Sequence, residues 1–241
     1  MEKEPGFYRS IWEHKPVLRE IYADIYRRII AQTINGPILE VGGGSGNFKT
    51  FAPDTISVDI ISAPWLDLVC DAQRLPFADN SFSNIVMVDV LHHIESPLRF
   101  LEETQRVLKT DGRLIFCEPA ITPLSGIFYR LFHEEPVDMS VNPLAVITID
   151  ANKDPWDSNQ AIPTLLTGRY RNSLSAAIPK LMLTKLDLFS FVAYPLSGGF
   201  QKWCLVPYFL VKQLLKFEHL VQHLFGRLAA FRMLAVYRKI A

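Results

Sequence analysis

A short apolar run leads directly into a cluster of glycines early in this chain. Residues 37–41 (PILEV) have the composition of a β-strand, and four of the next five residues, 42–46 (GGGSG), are glycine. A second β-like run follows at 55–59 and ends on an acid, Asp59. Glycine lets backbone N–H groups come close to a ligand, because any larger side chain would block the approach. This pattern is typical of the ligand-binding edge of a parallel sheet.

Strand-like and helical segments alternate along much of the chain. Apolar residues recur at three- and four-residue intervals over 16–34 and 97–108, which predicts two helices. Further β-like runs stand at 66–70, 84–89, 113–117, 184–193 and 230–239. We therefore predict an α/β chain with a Rossmann-like three-layer sandwich. Its seven-stranded sheet should be mainly parallel, with one antiparallel strand in the last pair.

The length of 241 residues suits one domain of this class with an insertion. Residues 36–119 form the predicted ligand-binding core. Residues 120–180 are rich in Pro, Asn and Asp, and about sixty such residues are too many for a plain connection, so we expect a substrate cap with short helices. An amphipathic helix is predicted over 207–226, where Gly226 should end it.

Charge, cysteine content and hydropathy exclude several classes of protein. The 25 Lys and Arg balance 25 Asp and Glu, so the chain lacks the broad positive field that nucleic acid attracts. Cys70, Cys117 and Cys204 lie too far apart for a close-spaced zinc site and fit no disulfide framework. We find no secretory signal and no apolar run of the roughly eighteen residues that span a bilayer. A cytoplasmic protein without a nucleic-acid partner is expected.

The spacing of the glycines narrows the choice of ligand. A dinucleotide fingerprint would need a glycine at Asn47, and a phosphate-binding P-loop would need one at Phe48. The first mismatch argues against a nicotinamide-dependent oxidoreductase. Asp59, at the end of the second strand, is positioned to accept hydrogen bonds from both ribose hydroxyls of an adenosine. A cofactor with an adenosine and no phosphates would use that acid, and Glu40 would suit the ammonium of an attached amino acid.

Five motifs, in order and at natural separations, resemble those of a known family. They are ILEVGGGSGNF at 38–48, SVDI at 57–60, CDAQRLPFADNSFS at 70–83, IVMVDVLHHIESP at 85–97 and VLKTDGRLIFCEP at 107–119. The sequence resembles the class I S-adenosylmethionine-dependent methyltransferases of the small-molecule type, which include enzymes of ubiquinone and menaquinone biosynthesis. The resemblance covers about residues 36–119. It implies S-adenosylmethionine as the cofactor and S-adenosylhomocysteine as the product.

The resemblance also implies which residues contact the cofactor. The methionine part would lie against the glycine loop, the ribose against the SVDI motif and the adenine against the motif that follows. The residues concerned are Glu40, Gly42, Gly44, Gly46, Asp59, Ile60, Asp71, Ala72 and, beside the methionine end, Asp89. The segment after Gly46 leaves room for only a short first helix.

A catalytic base is optional in this chemistry, because a sulfonium methyl is already an activated electrophile. If the acceptor is a hydroxyl, a histidine or carboxylate near the methyl would help to remove its proton. The candidates are His93 and His92, which follow the fourth strand, and His133, Glu134 and Glu135 in the cap. The plainer alternative is that one of the adjacent pair caps a helix and the other packs. Neighbouring ligands in sequence seldom converge on one ion, so we predict no metal.

The predicted reaction is methyl transfer to a small acceptor that is apolar, lipid-like or aromatic, at an oxygen atom. Alternatives are carbon or nitrogen methylation, and a non-catalytic S-adenosylmethionine-binding subunit that docks a partner protein. The apolar face of the 207–226 helix is expected to pack on the sheet or the cap. The other possibility is peripheral membrane contact, helped by Lys212, Lys216, Arg227 and Arg232.

Overall fold

Seven strands form one sheet in the computed structural model, which describes residues 4–148, 150 and 153–241. Their order across the sheet is β3-β2-β1-β4-β5-β7-β6. Neighbouring strands run parallel except β7, which is antiparallel to both β5 and β6. The predicted fold class is therefore confirmed. The strands are β1 (Ile38–Val41), β2 (Ile56–Asp59), β3 (Leu68–Val69), β4 (Phe82–Val88), β5 (Leu108–Pro119), β6 (Leu181–Phe189) and β7 (Arg232–Lys239).

Proline occupies the first turn of each of the first five helices, where its missing N–H would have no helical partner in any case. The helices are α1 (Pro5–His14), α2 (Pro16–Ile30), α3 (Pro97–Val107), α4 (Pro123–Phe132), α5 (Ile162–Thr167), α6 (Arg171–Ala177), α7 (Ala193–Ser197) and α8 (Tyr208–Ala229). Two single 3₁₀ turns lie at Phe48–Thr50 and Leu91–His93. The first of these is the short helix expected after the glycine loop.

The sheet separates two apolar cores, as β5 illustrates. Leu114 and Phe116 belong to the core that also contains side chains of α3, α5 and α6. Ile115 and Cys117 belong to the other core, with side chains of α2, α7 and α8. Successive side chains of a strand point to opposite faces, so a central strand buried on both faces is apolar at every position.

Several predicted boundaries are wrong. The helix predicted to reach residue 34 ends at Ile30, and the strand predicted at 184–193 is β6, Leu181–Phe189. The strand predicted to begin at residue 113 begins at Leu108, and a bulge lies where its pairing jumps from Phe82↔Leu108 to Asn84↔Arg113. Gly226 does not end α8 either. A Cβ there would lie 3.0 Å from the carbonyl oxygen of Leu188, so this glycine allows the helix to pack closely on β6.

The expectation that α8 packs its apolar face inward is wrong for most of that face. Val211 is buried, and Leu214 and Leu215 pack partly buried against the same core. Glu218, Gln222 and Gly226 are the other buried residues of the helix. Most of the larger apolar side chains are exposed, among them Phe209, Leu210, Phe217, Leu220, Leu224, Phe225 and Leu228. A narrow strip of mixed polarity therefore anchors the helix. Within the described residues, no helix combines the length and the apolar character needed to cross a membrane.

Candidate active site

A cavity of about 200 Å³ lies where the parallel strands β1, β2 and β4 end. Ligand sites of open α/β sheets occupy this edge, beyond the carboxyl ends of the strands. The walls include residues from the ends of three strands and from the cap. Among the residues singled out in the sequence, those that line it are Gly42, Asp59, Ile60, Asp71, Ala72 and His93.

Asp59 connects the cavity to the glycine loop. Its Oδ2 accepts a hydrogen bond from the backbone N–H of Gly44 at 2.8 Å, and its Oδ1 accepts one from Ile61 at 3.0 Å. An ionised carboxylate offers about four acceptor positions. The two that remain suit the pair of hydroxyls on a ribose, so the residues present fit an adenosine.

The three alternating glycines of the loop are glycine for different structural reasons. All three have positive φ, at 74° for Gly42, 45° for Gly44 and 74° for Gly46. A Cβ on Gly42 would lie 2.2 Å from Val90, and one on Gly46 would lie 2.4 Å from Trp65. A Cβ on Gly44 would meet nothing closer than a backbone oxygen at 3.9 Å, so the space beside it is open. Packing requires the outer glycines, and the middle one leaves room for a ligand.

Glu40 is not part of the cavity wall, although the resemblance places it against the methionine part. Its carboxylate is buried and accepts a hydrogen bond from the Ser57 hydroxyl at 2.5 Å. Burial raises the pKa of Glu40 to about 8, against the opposing effect of that hydrogen bond. Gly44 and Gly46 belong to the loop but are not part of the cavity wall. In this structure Glu40 supports the loop from below Gly43.

Asp89 also lies outside the cavity wall, although the resemblance places it beside the methionine end. Its carboxylate accepts a hydrogen bond from the Tyr22 hydroxyl at 2.9 Å and pairs with the guanidinium of Arg232. Arg232 is 1% exposed and stacks over the ring of Tyr194 at 4.9 Å. Arg232 is therefore unavailable for the membrane contact considered above. An arginine that opens the otherwise apolar run at 233–237 was the available sign of a buried charge.

Glu118, at the end of β5, holds the turn that follows β4. Its Oε1 accepts the N–H groups of Val90 and Leu91, both at 2.8 Å, and its Oε2 lies 2.6 Å from Nδ1 of His92. The other ring nitrogen of His92, Nε2, lies 3.2 Å from a carboxylate oxygen of Glu135. Burial alone would lower the pKa of His92, but the two carboxylates outweigh it and raise the pKa to about 10. His92 is thus a cation enclosed between two carboxylates.

His93, in contrast to the cationic His92, is neutral. Burial, reinforced by the positive charge of His92, lowers the pKa of His93 to about 4, so its ring is neutral near pH 7. Its Nδ1 finds no hydrogen-bond partner in the described part of the chain, and its Nε2 lies 4.0 Å from Glu135. Burial opposes ionisation of Glu135, yet the hydrogen bond and charge of His92 hold the pKa of this carboxyl below its usual range. A neutral imidazole can accept a proton, and the carboxylate beside it would stabilise the resulting imidazolium, although a pKa of about 4 makes His93 a weak base near pH 7.

The remaining site residues come from the cap. His133 follows α4, where its ring is exposed and its Nδ1 lies 3.2 Å from the Gln160 amide nitrogen. It is not part of the cavity wall. Lys153, which sequence reasoning missed, lines the cavity and donates to the backbone oxygen of His93 at 3.1 Å. The irregular cap sequence carries no periodicity that would have indicated it.

His92, His93 and Glu135 also bring three possible metal ligands within 4.8 Å of one another. A histidine must lose its proton to bind a metal, and the two carboxylates hold the proton on His92. The donor set is therefore better satisfied as an ion-pair network. The absence of a metal stays a prediction.

Comparisons with known proteins identify the family and the fold. Residues 39–116 match the sequence model of a family described as a methyltransferase domain. A demethylmenaquinone methyltransferase of Paenarthrobacter aurescens is 35% identical over 183 residues, which cover 65% of this chain and 71% of that protein. The crystal structure of an S-adenosylmethionine-dependent methyltransferase from Archaeoglobus fulgidus has a similar fold, with a TM-score of 0.58 and 14% identity over 92% of this chain and 94% of the other.

Several matches to curated relatives are shorter. The ubiquinone/menaquinone biosynthesis C-methyltransferase of Desulfotalea psychrophila is 39% identical over 61 residues, or 25% of this chain and 24% of that protein. Across the first three curated relatives the matched region spans 24% to 50% of their length. The family model likewise matches only residues 39–116 of this chain.

Proposed function

Because the chain belongs to the class I S-adenosylmethionine-dependent methyltransferases, we propose that it methylates a small apolar acceptor bearing a ring hydroxyl, at the hydroxyl oxygen. One observation carries the choice of an ionisable acceptor. The neutral ring of His93 lies in the cavity wall beside the ionised Glu135. An amine that is already nucleophilic would need no such proton acceptor.

The bound cofactor supplies an activated methyl group on a positively charged sulfur and leaves as S-adenosylhomocysteine. Asp59 binds the ribose hydroxyls through its two free acceptor positions, and the open space beside Gly44 receives the adjoining part. Asp71 and Ala72 line the adenine side of the same cavity.

His93 takes the hydroxyl proton as the oxygen attacks. The resulting imidazolium is stabilised by Glu135, whose Oε1 lies 4.0 Å from its Nε2. His92 contacts neither reactant in this proposal; with Glu118 it fixes the turn that carries His93, and it keeps Glu135 ionised. His92 is therefore a positioning residue, and His133 at the cap surface has no direct part.

Carbon methylation is the second candidate, supported by the names of the relatives, one of which is a C-methyltransferase. Removing the proton of a ring hydroxyl also makes the neighbouring ring carbon nucleophilic, so the same base serves both reactions. The position of the acceptor above the methyl group decides between them.

The test is calorimetry followed by product analysis. S-adenosylmethionine should release heat on binding and NADH should release none. With a ¹³C-labelled methyl donor, hydroquinones, catechols, polyprenyl and sugar acceptors are then screened, and the ¹³C shift of the product separates methoxy from ring-methyl groups. The proposal is abandoned if the donor does not bind, or if only amines are methylated.

A further inference from the structure

Two neighbouring helices expose an unusual amount of apolar surface. The exposed fraction reaches 76% at Leu220, 79% at Leu224, 73% at Phe209 and 74% at Phe132. The helices meet where the Thr122 hydroxyl, at the start of α4, donates to the carbonyl oxygen of Ala230 at 3.1 Å. We define the α4–α8 face by its exposed apolar residues, Leu124, Ile127, Leu131, Phe132, Phe209, Leu210, Phe217, Leu220, Leu224, Phe225 and Leu228.

The exposed residues follow helical periodicity, so each helix presents a continuous apolar stripe. On α4 they are Leu124, Ile127 and Leu131, at intervals of three and four residues. On α8 the stripe includes Leu220 and Leu224 and lies away from the buried strip. Large exposed apolar patches mark interaction surfaces, because leaving such side chains in water is unfavourable.

The exposed charged side chains within the two helices are all basic. Exposed basic residues flank the stripes at Arg130, Lys212, Lys216 and Arg227. The sole acid in the sequence of either helix is Glu218, which is 4% exposed. Its Oε1 accepts three backbone N–H groups at the start of α7. The Glu218 carboxylate therefore lies inside the protein and offers no exposed negative charge to this face. Of the flanking cations, Lys212 has an acidic neighbour, Glu20, at 3.5 Å.

We propose that the α4–α8 face docks the enzyme on the surface of a bilayer that contains anionic lipid. Its apolar side chains would enter the boundary between headgroups and acyl chains, and its basic residues would meet the lipid phosphates. Trp203 and Tyr208, exposed just before and at the start of α8, have the amphipathic rings that favour this depth. The docking does not depend on the proposed methyl transfer.

Charge also argues against a second copy of the chain as the occupant. A two-fold interface places the same patch of both subunits face to face. Such an interface would bring the basic residues Lys216, Arg227 and Arg130 of both copies together, and neither α4 nor α8 has an exposed acid to pair with them. Anionic headgroups balance this charge directly.

The face lies next to the site. α4 ends at Phe132, and three residues later Glu135 contacts His92. An acceptor dissolved in the bilayer would therefore approach the proton-accepting cluster without crossing bulk water. This consequence, unlike docking itself, rests on the proposed function.

Docking is tested by flotation of the full chain with vesicles of phosphatidylcholine alone and of phosphatidylcholine with phosphatidylglycerol. The protein should float with the anionic vesicles, and added salt should weaken this binding. Leu224→Glu should reduce the bound fraction by about tenfold or more, because it places a charge in the apolar boundary. The double variant K216E/R227E should reduce it by more than about fivefold, the typical effect of one basic residue.

Val146→Glu is the matched control, since Val146 is 88% exposed but lies in the cap, outside this face. It should float like the unaltered chain, and calorimetric binding of S-adenosylmethionine should confirm that every variant is folded. The proposal is overturned if the chain floats with neither vesicle, or if Leu224→Glu floats normally. It is also overturned if light scattering shows a dimer that Leu224→Glu dissociates. None of these readouts uses methyl transfer, so failure of the proposed reaction would be seen separately.

Discussion

Nδ1 of His92 lies 2.6 Å from Oε2 of Glu118, and these side chains are only 3% and 0% exposed. They come from the turn after β4 and from the end of β5, 26 residues apart in the chain. The pair holds one proton of the His92 cation on Nδ1, and the other ring nitrogen, Nε2, faces Glu135 at 3.2 Å. The positive charge of His92 contributes to the lowered pKa values of Glu135 and His93, which leaves His93 as the neutral base candidate.

Replacing Asp59 tests the cofactor site. Asp59→Ala removes the carboxylate that should accept two ribose hydrogen bonds, and bonds to a charged acceptor contribute about 1.5–3 kcal/mol each. We expect the Kd for S-adenosylmethionine to rise by about a hundredfold or more in calorimetry. Asp79→Asn, at an exposed carboxylate outside the cavity, should leave the Kd unchanged. Equal binding by Asp59→Ala would show that the cofactor does not use this carboxylate.

Two alanine substitutions in the glycine loop should have contrasting effects, one on stability and the other on cofactor affinity. Gly46→Ala would force a methyl group to within 2.4 Å of Trp65, so the midpoint of thermal unfolding should fall. Gly44→Ala meets no such clash and costs about 1 kcal/mol of backbone strain, but its methyl group enters the open space. Its main effect should be a weaker cofactor affinity. Cofactor binding by Gly44→Ala at the unaltered Kd would contradict the ligand role given to that space.

Stability should depend on pH through His92. Its folded pKa of about 10 exceeds the unfolded value of about 6.5, so the stabilisation is fully present below pH 6.5 and is lost as the pH rises to about 10. The loss should be on the order of 5 kcal/mol in urea unfolding, because each unit of pKa difference corresponds to about 1.4 kcal/mol. Glu118→Gln should be less stable at pH 7 by about 3 kcal/mol and show a flatter decline. Glu134→Gln, at an exposed side chain, serves as the control; parallel curves for all three proteins would contradict the ion pair.

His93→Gln tests the proton acceptor. Loss of a general base lowers kcat by about 10² to 10⁴, and the Kd for S-adenosylmethionine should change little. His133→Gln removes a histidine of the cap surface and should retain kcat within about threefold, because it makes no proton transfer. Because the pKa of His93 is about 4, kcat/KM should stay level down to about pH 5. If kcat is unaffected in His93→Gln, the acceptor loses its proton without His93 and the proposed role of this residue is wrong.

Metal removal distinguishes the ion-pair network from a metal site. With His92 protonated, dialysis against a chelator should leave both kcat and the unfolding midpoint unchanged. Added zinc should fail to raise that midpoint. A clear loss of activity on chelation, restored by one divalent metal and absent in Glu135→Gln, would assign His92, His93 and Glu135 as ligands instead.

Patterns of neighbouring residues were sufficient to predict the strands at the ligand-binding edge and the loop between them. The apolar runs near 37–41 and 55–59 became β1 and β2, because strand burial on both faces is visible in consecutive residues. The glycine loop and Asp59 could be assigned to the ligand edge, because a backbone that must turn with positive φ selects glycine. Boundaries failed where a distant contact intervened, as when Gly226 packs against Leu188 and α8 continues past it.

The sequence by itself therefore determined the seven strands, the helices α2, α3 and α8, the mainly parallel sheet and the edge proposed to bind the cofactor, because each depends on neighbouring residues. Tertiary structure alone decided which charges are enclosed. Asp89 and Arg232 are 143 residues apart, and no local pattern pairs them. It also decided which way α8 faces. Periodicity defines an apolar side of a helix, but the buried partners of Glu218 turn that side toward the solvent.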